Sequence, residues 1–96
     1  MLIRSQNKEV LVAFESLPDI EVSGGVISAR RDIGWCCLLG EYSTKAKAMK
    51  VLDMIQEAYS EYQIMLNFSV SYLHEFKEKT DGFAIFQMPE DSEVEA

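Results

Sequence analysis

An α+β fold is what this sequence predicts: an antiparallel sheet of five or six strands with one long amphipathic helix packed on one face. Three observations carry that prediction. Residues 1–43 are built of short apolar or alternating runs separated by tight-turn residues. From about residue 44 the apolar period changes to that of a helix and holds to about residue 62. Alternation then returns near residues 64–72 and again at Phe83–Phe86.

Val10–Phe14 is an apolar, partly β-branched run suited to a buried strand, and Leu17–Asp19 punctuates it as a turn. Ile20–Ser23 and Val26–Arg30 alternate, and Gly24-Gly25 between them supplies the two residues of a hairpin turn. Arg31–Gly34 forms a second turn. Trp35–Leu39, extending towards Tyr42, is the strongest strand candidate, and these four strands form a meander. Ser43 or Thr44 can cap the helix, in which Ala48, Leu52, Ile55, Tyr59 and Tyr62 define the apolar face. Beyond Tyr62 the pattern divides between strand at 64–72 and continued helix, and we take the strand. Thr80–Gly82 turns the chain into a terminal strand that Pro89 stops, and residues 90–96 read as a frayed acidic tail after a single domain spanning 1–89. The predicted core comprises Leu11, Phe14, Val22, Ile27, Trp35, Leu38, Leu52, Ile55, Tyr59, Phe83 and Ile85. One helix cannot cover a sheet this wide, so the uncovered apolar face predicts a homodimer.

The 96 residues carry a net charge of −7, and it is unevenly placed. Residues 1–50 hold seven basic and six acidic side chains, whereas residues 51–96 hold two basic and ten acidic ones. The acidic half repels nucleic acid and attracts basic protein surfaces, so direct DNA binding is not expected. No apolar run approaches a membrane span, and the polar Arg4–Lys8 following Met1–Ile3 leaves no signal-peptide pattern, so the expected compartment is the cytoplasm.

Chemistry finds little support. His74 is the single histidine, and no serine sits in a nucleophile elbow, so neither a catalytic base–nucleophile pair nor a metal site is expected. Cys36 and Cys37 are adjacent; on a strand they point to opposite faces, poorly placed to share a metal or bond each other, which suggests two small buried apolar residues. No cofactor is implied. One feature is anomalous: the helix carries Lys45, Lys47 and Lys50 at its start and Asp53, Glu57 and Glu61 later, the reverse of what the helix dipole favours. Two surfaces follow from it. Asp53, Glu57 and Glu61, with Glu90 and Asp91, form a candidate acidic partner-binding set. Arg30, Arg31, Lys45 and Lys47 form an alternative anion-binding set at a helix N-terminus.

Met1–Gln6, Leu39–Thr44 leading into Lys47–Asp53, and Phe86–Asp91 form a layout that resembles a group of small phage, prophage and mobile-element proteins of Firmicutes. The resemblance is weaker from Gln63 to Gly82. That group has no assigned reaction, so no catalytic residue carries over. The resemblance implies an accessory protein in a bacterial cytoplasm. Joined to the acidic surface, it yields the expectation of a non-enzymatic inhibitor of a host defence component such as a CRISPR nuclease. The alternatives are a nucleotide-signal-sequestering protein using the basic set, and a virion or regulatory scaffold.

Overall fold

The computed structural model describes residues 1–32, 35–66 and 85–95. Among the described residues, six strands, β1 (Leu2–Arg4), β2 (Leu11–Ala13), β3 (Asp19–Ser23), β4 (Val26–Asp32), β5 (Trp35–Glu41) and β6 (Ile85–Gln87), accompany one α-helix, α1 (Lys45–Leu66). The fold is α+β, but the strands divide into two three-stranded sheets, β2-β1-β6 and β3-β4-β5, so neither sheet reaches the expected five.

The second sheet is the predicted meander less its first strand. Ser23 pairs with Val26 across Gly24-Gly25, and Gly24 has φ +59°, which the absence of a Cβ permits. The Val10–Phe14 run supplies β2, which leaves the meander and pairs antiparallel with β1; β1 in turn pairs parallel with β6. That parallel pair brings the two ends of the chain together. Gln6 ties the sheets to each other: its backbone N–H donates to the Leu39 carbonyl at 2.7 Å, and its side chain accepts from the Glu41 N–H at 2.9 Å.

The core is a single cluster containing Ile3, Val12, Ile27, Ala29, Leu39, Tyr42, Val51, Ile55, Met88 and Val94. Ile27 and Ile55 lie where predicted. Leu11, Leu38 and Ile85 do not: they are 52%, 48% and 45% exposed. In the first sheet the inward set is Ile3 and Val12 with half-buried Phe86, one residue away from the prediction, and a shift of one residue along a strand reverses the face. In β5 a bulge decides the matter. Ser28 pairs with Leu38 and Ile27 with Gly40, so Leu39 is the extra residue, and it is the leucine that enters the core. The side chain of Trp35, and Phe83, lie outside the described residues.

The buried stripe of α1 is Ala48, Val51 and Ile55, with half-buried Leu52, Ala58, Tyr59 and Tyr62 beside it. The helix lies against β3 and β4. It runs four residues past Tyr62, so Ile64–Leu66 are helical and not the start of a strand. No Gly or Pro interrupts that segment, and Met65 and Leu66 are strong helix formers, so nothing local stops the helix at Tyr62. The remainder of the expected 64–72 strand, residues 67–72, lies outside the described residues, as does the Thr80–Gly82 turn.

Candidate functional site

The start of α1 is where the sequence anomaly resolves. Thr44 caps it, its hydroxyl oxygen accepting from the Lys47 N–H at 3.2 Å. Residues 90–95, expected as a frayed tail, return to this helix end. A single 3₁₀ turn, Asp91–Glu93, is closed by a reciprocal Glu90–Glu93 capping box, and Val94 is buried in the core. The Asp91 carboxylate accepts from the Ser43 N–H at 2.7 Å and from the Lys47 ammonium at 3.4 Å, while Lys47 also donates to the Asp91 carbonyl at 3.1 Å. Lys50 donates to the Glu95 carbonyl. The acid that the helix dipole favours at its N-terminus is thus present, supplied from 48 residues downstream of Ser43. The lysines that looked misplaced receive that segment.

Electrostatics follow the geometry. The Ser43 N–H, with Lys47 second, holds the Asp91 carboxyl below the usual carboxylate range. Burial, reinforced by Glu90, Asp91 and Glu93, pushes the Tyr42 phenol up to about 12, and its hydroxyl donates to the Pro89 carbonyl at 2.8 Å. A carboxyl whose pKa falls on folding contributes stability that is present above its unfolded-state value and disappears as pH falls through its folded-state value. The Asp91 contribution is therefore lost in acid and intact at neutral pH. Asp91→Asn removes this titration; in thermal unfolding followed against pH, its Tm should approach that of the wild type as the pH falls, because the wild type then loses the same interaction.

The two candidate sets are sorted by this arrangement. Asp53, Glu57 and Glu61 are exposed and share one ridge of α1, and none forms an ion pair among the described residues. At 1.5 Å rise per residue the three span about 12 Å. Glu90 and Asp91 are not part of that ridge; they sit at the start of the helix, engaged with each other's turn and with Ser43 and Lys47. The basic set is not brought together either. The Arg30 guanidinium contacts Glu21 at 3.1 Å and Asp19 at 3.9 Å across β3 and β4, Lys47 is held by Asp91, and Lys45 is exposed. The Arg31 side chain lies outside the described residues.

Cys36 is exposed and Cys37 half-buried, which corrects the expectation that both are buried. The alternation of β5 causes this: Cys37 pairs opposite buried Ala29 on the inner face, and Cys36 opposite exposed Arg30 on the outer. No group of three or more potential metal ligands occurs among the described residues, and His74 is outside them. None of the described helices is long and apolar enough to cross a membrane.

A feature with no counterpart in the sequence reading lies between the β2–β3 connection and α1. Phe14, Leu17 and Ile20 face Leu52, Ile55 and Tyr59 across a cavity of about 510 Å³. The Phe14 and Tyr59 rings stand 4.3 Å apart in tilted contact. Asp19, Gln56 and Ser60 contribute the polar part of the lining.

No protein-family model, curated protein or solved structure matches this chain.

Proposed function

We propose that this chain is a non-enzymatic accessory protein of a phage or mobile element that binds and inhibits a basic, nucleic-acid-handling component of host defence, such as a CRISPR nuclease. The observation that carries this reading is the outward ridge of Asp53, Glu57 and Glu61, which forms no ion pair among the described residues, while Lys47 at the start of the helix is paired by the chain's own C-terminal segment. A channel that holds nucleic acid is lined with Lys and Arg, and carboxylates set along a rigid helix can occupy those positions in place of phosphates. Exposed Met49, Met54 and Ile64 lie on the same solvent side of α1 and give the acidic ridge apolar neighbours. Outward Leu11, Leu38 and Ile85 supply surfaces on which two copies can associate, so the protein acts as a homodimer in the bacterial cytoplasm.

The sequestering alternative is weakened, because its central lysine and the helix-end N–H of Ser43 already hold Asp91. In a cleavage assay with a purified CRISPR nuclease, inhibition by this protein should fall steeply as salt rises from about 50 to about 300 mM, since exposed charges separated by more than about 8 Å are screened at physiological ionic strength. Inhibition independent of salt, or none at the lowest salt, contradicts the reading for that nuclease class.

A further inference from the structure

We infer that residues Glu90–Glu95 form a hinged strap: an acidic segment that closes on the start of α1 and opens as a unit while the rest of the chain stays folded, changing the charge that this helix end presents. The hinge is marked by what holds on either side of it. Before it, Met88 is buried and its N–H donates to the Arg4 carbonyl at 3.0 Å. The Pro89 carbonyl accepts from the Tyr42 hydroxyl at 2.8 Å and from the Gln6 side chain at 3.2 Å. After it the attachments thin out. Val94 is the only buried residue of the six, and the Glu90–Glu93 capping box ties the segment to itself and not to the body.

Polar contacts at the surface close the strap. Asp91 takes the Ser43 N–H and the Lys47 ammonium, and Lys50 reaches the Glu95 carbonyl. The Asp91 side chain is 41% exposed, so water can replace these partners at little cost. Opening therefore gives up one valine and a few surface contacts, whereas the body keeps Ile27, Ala29, Leu39, Val51 and Ile55 in one cluster. Segments with so few buried apolar contacts open at a lower free energy than the core does. The consequence is electrostatic. Closed, Lys45, Lys47 and Lys50 are opposed by the four carboxylates of Glu90, Asp91, Glu93 and Glu95. Open, the three lysines and the Ser43 N–H stand alone at the helix start, which turns from acidic to basic while the Asp53–Glu61 ridge is unchanged. None of this depends on the proposed inhibition.

Native-state amide hydrogen exchange of the full chain tests the strap, because the Ser43 N–H has Asp91 as its acceptor and is released when the strap opens. The Glu93 and Val94 N–H groups donate only within the 3₁₀ turn, which three residues do not sustain alone, so they exchange in the same opening. Ser43, Glu93 and Val94 should share one protection factor, at least about 100-fold below that of Ile27 and Ala29 in β4. Ile55→Val, far along α1 from the strap, should lower the protection of Ile27 and Ala29 by up to about tenfold and leave Ser43, Glu93 and Val94 as they were. Asp91→Ala should lower the protection of Glu93 and Val94 about tenfold, the share of a charge-assisted hydrogen bond; should that variant not fold, the wild type and Ile55→Val decide alone. Ser43 protected as strongly as β4, or falling with it in Ile55→Val, would show that the segment opens only with the whole chain. Ser43 without protection would show that it never closes. Either result overturns the strap, and unchanged protection in Asp91→Ala overturns the assignment of its closure to that carboxylate.

Discussion

Ile27→Ala should destabilise the protein by about 2–5 kcal/mol, the range for truncating a fully buried isoleucine. Ile27 has no exposed surface and sits in β4, the middle strand of its sheet, paired with Val22 on one side and Gly40 on the other. Its side chain belongs to the cluster that also holds Val51 and Ile55 of α1. Truncation therefore leaves a hole where sheet and helix meet, and of the two cross-strand neighbours Gly40 has no side chain to move into it. Ile85→Ala, on an exposed position of the edge strand β6, should cost well under half as much. Urea unfolding of both variants tests the pair, and equal losses contradict the assignment of inner and outer faces.

Gly25→Ala should cost about 2–4 kcal/mol, combining overpacking with the loss of a backbone hydrogen bond. A Cβ at residue 25 would stand 2.1 Å from the Tyr42 carbonyl oxygen, a backbone atom that cannot rotate away. The strands also cannot separate freely, because the Tyr42 N–H donates to the Gly25 carbonyl at 2.7 Å. Tyr42 in turn holds Pro89, so the disturbance should reach the C-terminal segment as well. Gly24→Ala provides the contrast. Nothing lies within 4 Å of its added Cβ, and its cost is only the left-handed backbone at φ +59°, about 1–2 kcal/mol. Denaturation midpoints should rank wild type first, then Gly24→Ala, then Gly25→Ala; the reverse order of the two variants is incompatible with the close approach at Tyr42.

The parts of the fold legible in the sequence are those fixed by neighbours along the chain. The Gly24-Gly25 hairpin and the apolar face from Ala48 to Tyr62 arise from local turn chemistry and a sustained helical period. What escaped is set by distant pairing. β1 has three residues and no pattern of its own, and it becomes a strand because β2 and β6 flank it. The bulge at Leu39 inverts which leucine is buried; Gly40 beside it is a residue type that marks such irregularities in strands, but it does not fix which of the two leucines becomes the extra residue. The C-terminal segment left two signals. Val94 is the one apolar residue among Glu90–Glu95, and the reversed charges of α1 required an acid near Ser43. The alternative anion-binding set places an external anion at that helix end, where the chain supplies Asp91 itself. The cavity beside Phe14 and Tyr59 left no signal, because it depends on α1 and the stretch from Phe14 to Ile20 meeting in space.

In the proposed function, the surface offered to a partner is the carboxylate ridge of α1 and not the basic start of that helix. Inhibition of a CRISPR nuclease by two double variants tests it most directly. Glu57→Lys with Glu61→Lys should fold like the wild type, since exposed substitutions usually cost within about 0.5 kcal/mol. It should nevertheless lose inhibition, because the ridge then repels a basic channel. Lys45→Glu with Lys47→Gln leaves the ridge intact and should keep inhibition at or near the wild-type level. Retained inhibition in the first variant together with its loss in the second would contradict the claim.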